Sequence, residues 1–311
     1  MSRDRIAVLG ECVADAFVTG AAPGGGLALR VLPGGGPANT AVALARLGTP
    51  VRFLGRISRD PFGELFRAHL DASGVDLTGC VSAAEPSVLA VATLDEAGRA
   101  AYSFHAEGAA DWRWSAAELT GERVGDAVCL HTGSLALVHD PGAGRIEELL
   151  ARAAAGATVS IDPNVRPGIV PLERYREAMP RWCALADVVK LSLDDLELIR
   201  PGETAEHACD AWHAAGARLV VVTLGPGGAL VSLDGLRVRV PAPAVRVVDT
   251  VGAGDSFTAA FLHRLRADGL LGGRLDALDL DAAGRAAAFA AGAAARTCSV
   301  PGADPPWAGD L

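Results

Sequence analysis

The sequence predicts an α/β fold in which a mostly parallel sheet is covered by helices on both faces. Short β-like runs alternate with longer runs of helical periodicity along most of the 311 residues. Such alternation is typical of parallel sheets, because a helix usually carries the chain back to the start of the next strand. The hydrophobic content of 50% is ample for a sizeable core. We expect a single domain over residues 1–311.

The elements can be predicted one by one along the chain. Runs rich in Val, Ile and Leu predict strands at 6–9, 51–54, 128–131, 158–161, 188–191 and 219–223. Apolar residues at helical spacing predict helices at 37–47, 61–73, 144–155, 205–215 and from 257 to about 266. Ligands of such sheets bind beyond the carboxyl ends of the strands, so residues just after a strand are candidates for a site.

Two segments break the alternation, at about 15–33 and 86–106. Both contain short β-like pieces and glycine, and the second has β-like runs at 88–94 and 101–104 around a turn at 95–98. This pattern predicts a hairpin. We expect the two segments to form a small β lid inserted into the main domain. Lid strands have exposed edges, and pairing two lids would satisfy them, which favours a homodimer.

Composition excludes several classes of function. The formal net charge is −9 without a basic cluster, which disfavours nucleic acid as a partner. The chain has one lysine, Lys190, and no Gly-Lys-Ser or Gly-Lys-Thr, so a Walker-type phosphate loop is excluded. No apolar run is long enough to span a membrane, and no signal peptide is evident. Six scattered cysteines indicate reduced thiols and a cytoplasmic protein.

A glycine-rich stretch at 249–257 is the most informative motif. Gly252 and Gly254 allow backbone conformations closed to other residues just before an apolar helix. The free N–H groups of a first helical turn form an anion site. Asp255 would lie inside that site, where a carboxylate could accept a proton from a hydroxyl that attacks a phosphate. Taken alone, the motif could equally be a helix start with an acidic residue in its first turn.

A second glycine cluster, Gly34-Gly35-Gly36-Pro37-Ala38-Asn39, leads into another helix. Proline is tolerated early in a helix, and Asn39 offers both a donor and an acceptor. Taken together, the segments 34–48 and 249–262 resemble the N-terminal and C-terminal signatures of the PfkB family of sugar kinases, in the ribokinase-like superfamily. The resemblance extends over nearly the whole chain. It is nearest to bacterial fructokinases, through Gly10-Glu11 with Asp15, the run 162–167 (Asp-Pro-Asn-Val-Arg-Pro) and the tail 298–306.

The resemblance implies a ribokinase-like three-layer sandwich with a mostly parallel central sheet and the small β lid. It also implies a kinase site, with Asp255 as the base and the N–H groups of Gly252, Ala253, Gly254 and Asp255 as the anion hole. The implied sugar contacts are Asp15, Gly35, Gly36, Asn39, Phe104 and Arg166. The implied nucleotide contacts are Ser192, Thr223, Gly225, Gly228 and Gly254. Lys190 is a further candidate for the nucleotide phosphates; because it follows an apolar run, it could instead only extend its ammonium to solvent from the end of a strand. The implied metal groups are Asn164 and Asp195 for Mg²⁺, through water, and Asp249 for a monovalent cation such as K⁺.

The implied chemistry is consistent with these residue types. Phosphoryl transfer needs positioning and charge compensation. Arg166 is also expected to act on the γ-phosphate, because a guanidinium can bind phosphate oxygens bidentately. Two positions depart from the family pattern. Ser192 and Asp195 stand where many members have Asn and Glu, and His105 follows Phe104 where fructokinases often have Arg. Phe104 is therefore either a sugar contact or a core residue of the lid.

The substrate remains open at this stage. The expected activity is ATP-dependent phosphorylation of a primary hydroxyl of a sugar, with fructose as first choice. Alternatives within the superfamily are 2-keto-3-deoxygluconate, ribose and nucleosides, although aromatic residues make up only 5% of the chain and few could stack on a base. Hydroxymethylpyrimidine-type kinases fit less well, because the cluster 34–39 favours a sugar. A sugar-binding regulator that has lost catalysis is a further alternative.

Overall fold

The computed structural model describes residues 4–94 and 100–311, which form a main sheet of eight strands, a small sheet of four strands and a two-stranded ribbon. The strands are β1 Arg5–Leu9, β2 Val13–Ala22, β3 Gly26–Gly34, β4 Val51–Leu54, β5 Arg56–Ser58, β6 Val81–Ala83, β7 Val88–Leu94, β8 Ala100–His105, β9 Ala127–Gly133, β10 Thr158–Asp162, β11 Val188–Ser192, β12 Leu219–Thr223, β13 Ala229–Leu233 and β14 Leu236–Val240. The helices are α1 Gly36–Arg46, α2 Pro61–Ala72, α3 Gly121–Val124, α4 Gly142–Ala153, α5 Leu172–Leu185, α6 Leu193–Ile199, α7 Ala205–Ala214, α8 Ala253–Ala267 and α9 Leu280–Cys298.

The main sheet has the strand order β14-β13-β12-β11-β10-β9-β1-β4. Neighbouring strands from β12 to β4 are all parallel, whereas β13 is antiparallel to both of its neighbours. The mostly parallel sheet predicted from the sequence is therefore confirmed, with a hairpin added at one edge. β13 and β14 can follow β12 through tight turns because antiparallel strands need no crossover helix.

Both faces of the main sheet are buried. Successive side chains of a strand point to opposite faces, so the apolar strands serve two cores at once. In β1, Ile6 and Val8 pack with α1, while Ala7 and Leu9 pack in the other core with α4 and α5. Helices α8 and α9 cover the same face as α1. The result is the predicted ribokinase-like arrangement of helix, sheet and helix layers.

Predicted and observed element ends differ by small amounts that have local causes. The helix predicted from residue 257 begins earlier, at Ala253, because Gly252 supplies the left-handed turn that precedes it. Strand β9 extends to Gly133, two residues beyond the predicted end, because it pairs with β10 as far as Asp162. Apolar pattern marks the buried middle of an element and carries less information about its polar ends.

The small sheet has the order β3-β2-β7-β8. Strands β2 and β3 pair antiparallel, β7 pairs parallel with β2, and β8 returns antiparallel to β7. These strands come from the two segments that interrupt the α/β alternation. The turn predicted at 95–98 lies outside the described residues. The strands on either side of it, β7 and β8, pair antiparallel as expected for a hairpin.

The carboxyl ends of β1, β9, β10, β11 and β12 meet at one edge of the main sheet. Helices that cross back over a parallel sheet run opposite to the strands, so the amino-terminal turns of α1 and α8 reach the same edge. The candidate residues of the sequence analysis lie in the segments that leave this edge. Of the helices in the described part of the chain, none has the length and apolar character needed to span a bilayer.

Candidate active site

The two glycine motifs meet at the carboxyl edge of the main sheet. Asn39, in the first turns of α1, donates a hydrogen bond from Nδ2 to Asp255 Oδ2 at 2.8 Å. Gly36 makes this approach possible, because a Cβ there would lie 2.6 Å from Asn164 Nδ2 and 3.3 Å from Asp255 Oδ1. Three segments that are far apart in the sequence therefore converge on one carboxylate.

The start of α8 is the predicted anion site. Gly252 has a φ of 76°, and a Cβ there would lie 2.7 Å from Cβ of Ala303, so only glycine suits this turn. Ser256 donates its N–H to Gly252 O at 2.9 Å. Within the ranges 4–94 and 100–311, the N–H groups of Gly254 and Asp255 have no hydrogen-bond acceptor. Two free donors at a helix amino terminus favour a bound anion.

Asp255 is half-buried at this helix start. Burial raises the pKa of its carboxyl above the ordinary value, while the Asn39 hydrogen bond and the charge of Lys190 act in the opposite direction. A carboxylate with a raised pKa is a better proton acceptor than an exposed aspartate. Its position beside the free N–H groups allows it to contact a hydroxyl that faces an anion bound there.

A buried ion pair lies under the first turn of α8. Lys190 Nζ donates to Asp162 Oδ2 at 2.8 Å and to the carbonyl of Gly254 at 3.3 Å. Burial alone would lower the pKa of Lys190, but the carboxylates of Asp162, Asp195 and Asp255 raise it, so the ammonium stays charged. Thr258 Oγ1 donates to the same Gly254 carbonyl at 3.1 Å and lies 3.3 Å from Asp162 Oδ2.

Asp162 and Thr258 are site residues that the sequence patterns did not indicate. Asp162 was visible as the first residue of the Asp-Pro-Asn-Val-Arg-Pro run, at the end of a predicted strand. Thr258 lies four residues after Gly254, which is the spacing at which a helical threonine can reach back to a carbonyl. Lys190, a candidate nucleotide contact, is 5% exposed, and its ammonium is engaged with Asp162 and the Gly254 carbonyl.

Asp15 and Arg166 contribute opposite charges to the cleft. The Asp15 carboxylate lies against the second glycine cluster, since a Cβ at Gly34 would be 2.1 Å from Asp15 Oδ2. Burial raises the pKa of Asp15 to about 6, and the charge of Arg166 acts to lower it. The same guanidinium acts on Asp255 and on the buried Glu11, whose pKa is raised by burial. Arg166 itself is exposed, and its Nη1 donates to the carbonyl of Val165 at 3.1 Å, so its charge acts on these carboxylates without a direct hydrogen bond.

The run 162–167 is held in place by Asp195. Its Oδ1 accepts the N–H of Val165 at 2.8 Å, and its Oδ2 accepts the N–H of Ser192 at 3.0 Å and the Ser192 hydroxyl at 2.6 Å. Ser192 in turn caps α6 by accepting the N–H of Asp195 at 3.0 Å. Ser192 and Asp195 are predicted ligand contacts. The structure shows a capping box that joins α6 to the loop carrying Asn164 and Arg166.

The implied metal ligands lie in two places. Asn164 adopts a φ of 41° beyond the end of β10, and its side chain lies beside Gly36. Asp249 lies on the other side of the anion site, where Oδ1 accepts the N–H of Val251 at 3.1 Å and Oδ2 accepts that of Gly302 at 2.8 Å. Amide and carboxylate oxygens are the donors that Mg²⁺ prefers. Assignment of a metal to either place stays a prediction.

The implied nucleotide loop follows β12. Thr223 pairs with Ser192 across β11 and β12, so both residues stand next to each other at the carboxyl edge. The loop is a tight turn in which Leu224 donates its N–H to Gly228 O at 2.7 Å. Gly228 has a φ of 88° and packs against the backbone of Val240, and Gly225 also has a positive φ. The positive φ at both positions and the close backbone contact at Gly228 account for glycine at residues 225 and 228.

Phe104 lies on β8 of the small sheet. It is half-buried and packs against the apolar core on the α4–α5 side of the main sheet. His105, the departure from the family pattern, is exposed. Of the two alternatives for Phe104, packing is the one for which the structure gives contacts.

A cleft at the centre of the site is lined by residues of both motifs and of the strand ends. Its walls are Gly36, Pro37, Thr40, His131, Gly133, Ser134, Asp162, Asn164 and Asp255. His131 was not singled out from the sequence; burial and the Lys190 charge lower its pKa to about 3, which keeps the imidazole neutral.

Two larger cavities of about 280 Å³ lie near Gly121 and Arg152, at the opposite edge of the sheet.

Comparisons with known proteins agree with this arrangement. Residues 3–308 match the family model described as pfkB family carbohydrate kinase. A fructokinase from Rhizobium leguminosarum bv. trifolii is 40% identical over 241 residues, which cover 76% of this chain and 73% of that protein. A fructokinase from Xylella fastidiosa with bound ATP has a TM-score of 0.87 at 29% identity and covers 97% of this chain and 94% of that one. A fructokinase from Vibrio cholerae O395 with fructose, ADP and calcium has a TM-score of 0.81 at 27% identity, with coverages of 97% and 95%.

The capping box generates a testable prediction about stability. Asp195→Ala should lower the free energy of unfolding by about 1–3 kcal/mol, because the N–H groups of Val165 and Ser192 lose their acceptor. Asp194→Ala, which changes the exposed neighbour in the same helical turn, should cost less than about 1 kcal/mol. Urea unfolding measures both. Equal losses for the two variants would contradict the role assigned to Asp195.

Proposed function

The chain belongs to the pfkB family of carbohydrate kinases and is a phosphotransferase with a sugar hydroxyl as acceptor; on this premise, we propose that it transfers the γ-phosphoryl group of ATP to a primary hydroxyl, with fructose as the first candidate. The observation that carries the proposal is the position of Asp255. Its carboxylate accepts a hydrogen bond from Asn39 and stands beside the free N–H groups of Gly254 and Asp255.

The proposed mechanism assigns one task to each side of this carboxylate. A sugar held by Asp15, Asn39, and the backbone of Gly35 and Gly36 would present its hydroxyl to Asp255, which accepts the proton as the bond to phosphorus forms. The free N–H groups of Gly254 and Asp255 and the guanidinium of Arg166 would stabilise charge on the transferring phosphoryl oxygens. The N–H of Ala253, which the resemblance also implies in the anion hole, donates instead to the carbonyl of Thr250 at 3.3 Å. Holding both partners in line supplies much of the acceleration in such reactions.

Support for fructose comes from the relatives. The Rhizobium, Xylella and Vibrio proteins bear the name fructokinase, and the Vibrio structure contains fructose and ADP. 2-Keto-3-deoxygluconate and ribose remain alternatives, because His105 departs from the fructokinase pattern in the small sheet. A nucleoside would need an aromatic or apolar wall for its base, and aromatic residues make up only 5% of the chain. An inactive sugar-binding regulator is less well supported, since the proposed base and its glycines are all retained.

Two kinds of cation belong to the proposal. Mg²⁺ would neutralise phosphate charge and would be held by Asn164, by water and by the nucleotide itself. The donor set suits it, because an amide oxygen and nearby carboxylates are hard ligands. Asp195 would act on such water only through its remaining lone pairs, since both of its oxygens already accept protein hydrogen bonds. A K⁺ ion near Asp249 and the tail 297–302 would stabilise the anion loop.

The small sheet is proposed to be a lid of a single kinase domain and the contact surface of a homodimer in the cytoplasm. Closure of a lid over the sugar would exclude water and limit wasteful ATP hydrolysis. Strand β3 is at an edge of this sheet, and it exposes Leu27 at 61% and Leu29 at 44%. An exposed apolar edge strand in a monomer would favour aggregation, whereas pairing with a second copy covers it.

The proposed base is tested by Asp255→Asn in a coupled ADP-release assay with ATP and Mg²⁺ across a panel of sugars and nucleosides. The wild type should turn over one ketose, and the variant should lose roughly 10²- to 10⁴-fold in kcat, because an amide cannot accept the proton. Thermal stabilisation by the sugar should persist in the variant. Asp268→Asn, past the other end of α8, is the matched control and should keep wild-type turnover. Near-normal turnover of Asp255→Asn would remove the residue from its role.

The raised pKa of Asp15 predicts how sugar binding depends on pH. The ionised carboxylate accepts hydrogen bonds from sugar hydroxyls, and with a pKa of about 6 it loses its charge as the pH falls through 6. The KM for the sugar should therefore be constant above about pH 7 and rise roughly tenfold per unit well below pH 6. Asp15→Asn should show a high KM without this dependence. A flat KM between pH 5 and 8 in the wild type would contradict the assignment.

The homodimer is tested by Leu27→Glu, which places a charge on the proposed contact surface. Light scattering should give a dimer for the wild type and a monomer for the variant, because the buried charge would oppose association. Leu236→Glu is the matched control: Leu236 is 67% exposed on the edge strand β14 of the main sheet, and this variant should remain a dimer. A monomeric wild type would overturn the proposal.

A further inference from the structure

We propose that Lys190, Asp162 and Thr258 form a positioning clamp that fixes the Gly254–Asp255 peptide and thereby aims the Asp255 N–H at the transferring phosphoryl group. The proposal rests on the kinase function proposed above. It assigns Lys190 a role different from direct contact with the nucleotide. None of the three side chains needs to touch a substrate.

The clamp is built from two donors that converge on one carbonyl. The oxygen of Gly254 accepts Lys190 Nζ at 3.3 Å and Thr258 Oγ1 at 3.1 Å. Both donors also contact Asp162 Oδ2, at 2.8 Å from Lys190 and 3.3 Å from Thr258. All three side chains are at least nine-tenths buried, at 5%, 6% and 2% exposure for Lys190, Asp162 and Thr258. Such a closed network has little freedom to rearrange.

The geometry of the peptide bond transmits this restraint to the anion site. The carbonyl of Gly254 and the N–H of Asp255 belong to the same planar peptide unit, and they point in opposite directions. Fixing the oxygen therefore fixes the direction of the hydrogen. The Asp255 N–H is one of the two free donors of the anion site. A cation on the carbonyl oxygen also polarises the peptide and makes its N–H a stronger donor.

Two further observations support a positioning role. Gly254 lies so close to the ammonium that a Cβ would be 3.2 Å from Lys190 Nζ, which gives a structural reason for glycine at this place in the motif. Asp162 Oδ1 is buried without a hydrogen-bond partner among the described residues, at the wall of the central cleft. Among the described residues, the carboxylate is therefore oriented through Oδ2, by the ammonium of Lys190 at 2.8 Å and by contact with the Thr258 hydroxyl at 3.3 Å.

The first test compares Thr258→Val with Thr258→Ser. Valine removes the hydroxyl but keeps the shape, so kcat should fall by about 3- to 10-fold while the KM values for sugar and ATP stay within about twofold. Serine keeps the hydroxyl and should restore kcat. The matched control is Thr158→Val: Thr158 is also buried and bonded twice, to Gly272 and Gly273, but at the opposite edge of the sheet. It should lose stability without losing kcat.

The second test addresses Lys190 and avoids a misfolded variant. Lys190→Met alone leaves Asp162 as an unpaired buried charge, so Lys190→Met combined with Asp162→Asn is the informative protein. It should remain folded and lose about 100-fold in kcat, comparable to the loss of an oxyanion donor. Binding of ADP alone should be nearly unchanged, whereas binding of ADP with fluoroaluminate, a mimic of the transferring phosphoryl group, should weaken by a similar factor.

The outcomes separate this inference from the proposed function. If the wild type turns over a sugar and Thr258→Val keeps its kcat, or if every variant including Thr158→Val loses kcat equally, the clamp is overturned and the kinase function stands. If the wild type turns over no sugar, the function fails. The NMR chemical shift of the Asp255 backbone amide then tests the clamp. This shift should change in Thr258→Val and return to its wild-type value in Thr258→Ser, and an unchanged shift in Thr258→Val would overturn the clamp.

Discussion

The contact between the first turns of α1 and α8 is the constraint on which the rest of the site depends. Asn39 and Asp255 are 216 residues apart in the sequence and are joined by a 2.8 Å hydrogen bond. That distance requires the absence of a side chain at Gly36 and the left-handed turn at Gly252. It also requires a sheet whose parallel strands deliver both helices to the same edge. Cleft, anion site and proposed base all follow from this one junction.

Charge balance explains how so many carboxylates share the cleft. Asp15, Asp162 and Asp255 gather in a chain whose net charge is already −9, and the whole-protein field would repel a nucleotide. Lys190, beneath the predicted anion site, and the charge of Arg166 supply local compensation. Asp162 is paired with Lys190, whereas burial raises the pKa values of Asp15 and Asp255.

Much of the fold and part of the site could be predicted from the sequence, and the limit has a physical origin. Apolar periodicity fixes which segments are strands and helices, and the glycine motifs indicate an anion site at a helix start. The partners of buried polar groups depend on which strands become neighbours, and no local pattern contains that information. The hydrogen bonds of Asp195 to Val165 and Ser192 could therefore not be foreseen, and Asp162 and Thr258 were missed although both lie in or next to motifs.

The scarcity of lysine has a consequence for how the folded state can be probed. The only lysine in the sequence lies on a central strand and is 5% exposed, so the side-chain cations on the surface are arginines. A lysine-specific protease has no accessible target until β11 separates from the sheet. Cleavage after Lys190 thus reports opening of the core rather than fraying of loops, and its rate under native conditions reflects the population of the globally unfolded chain.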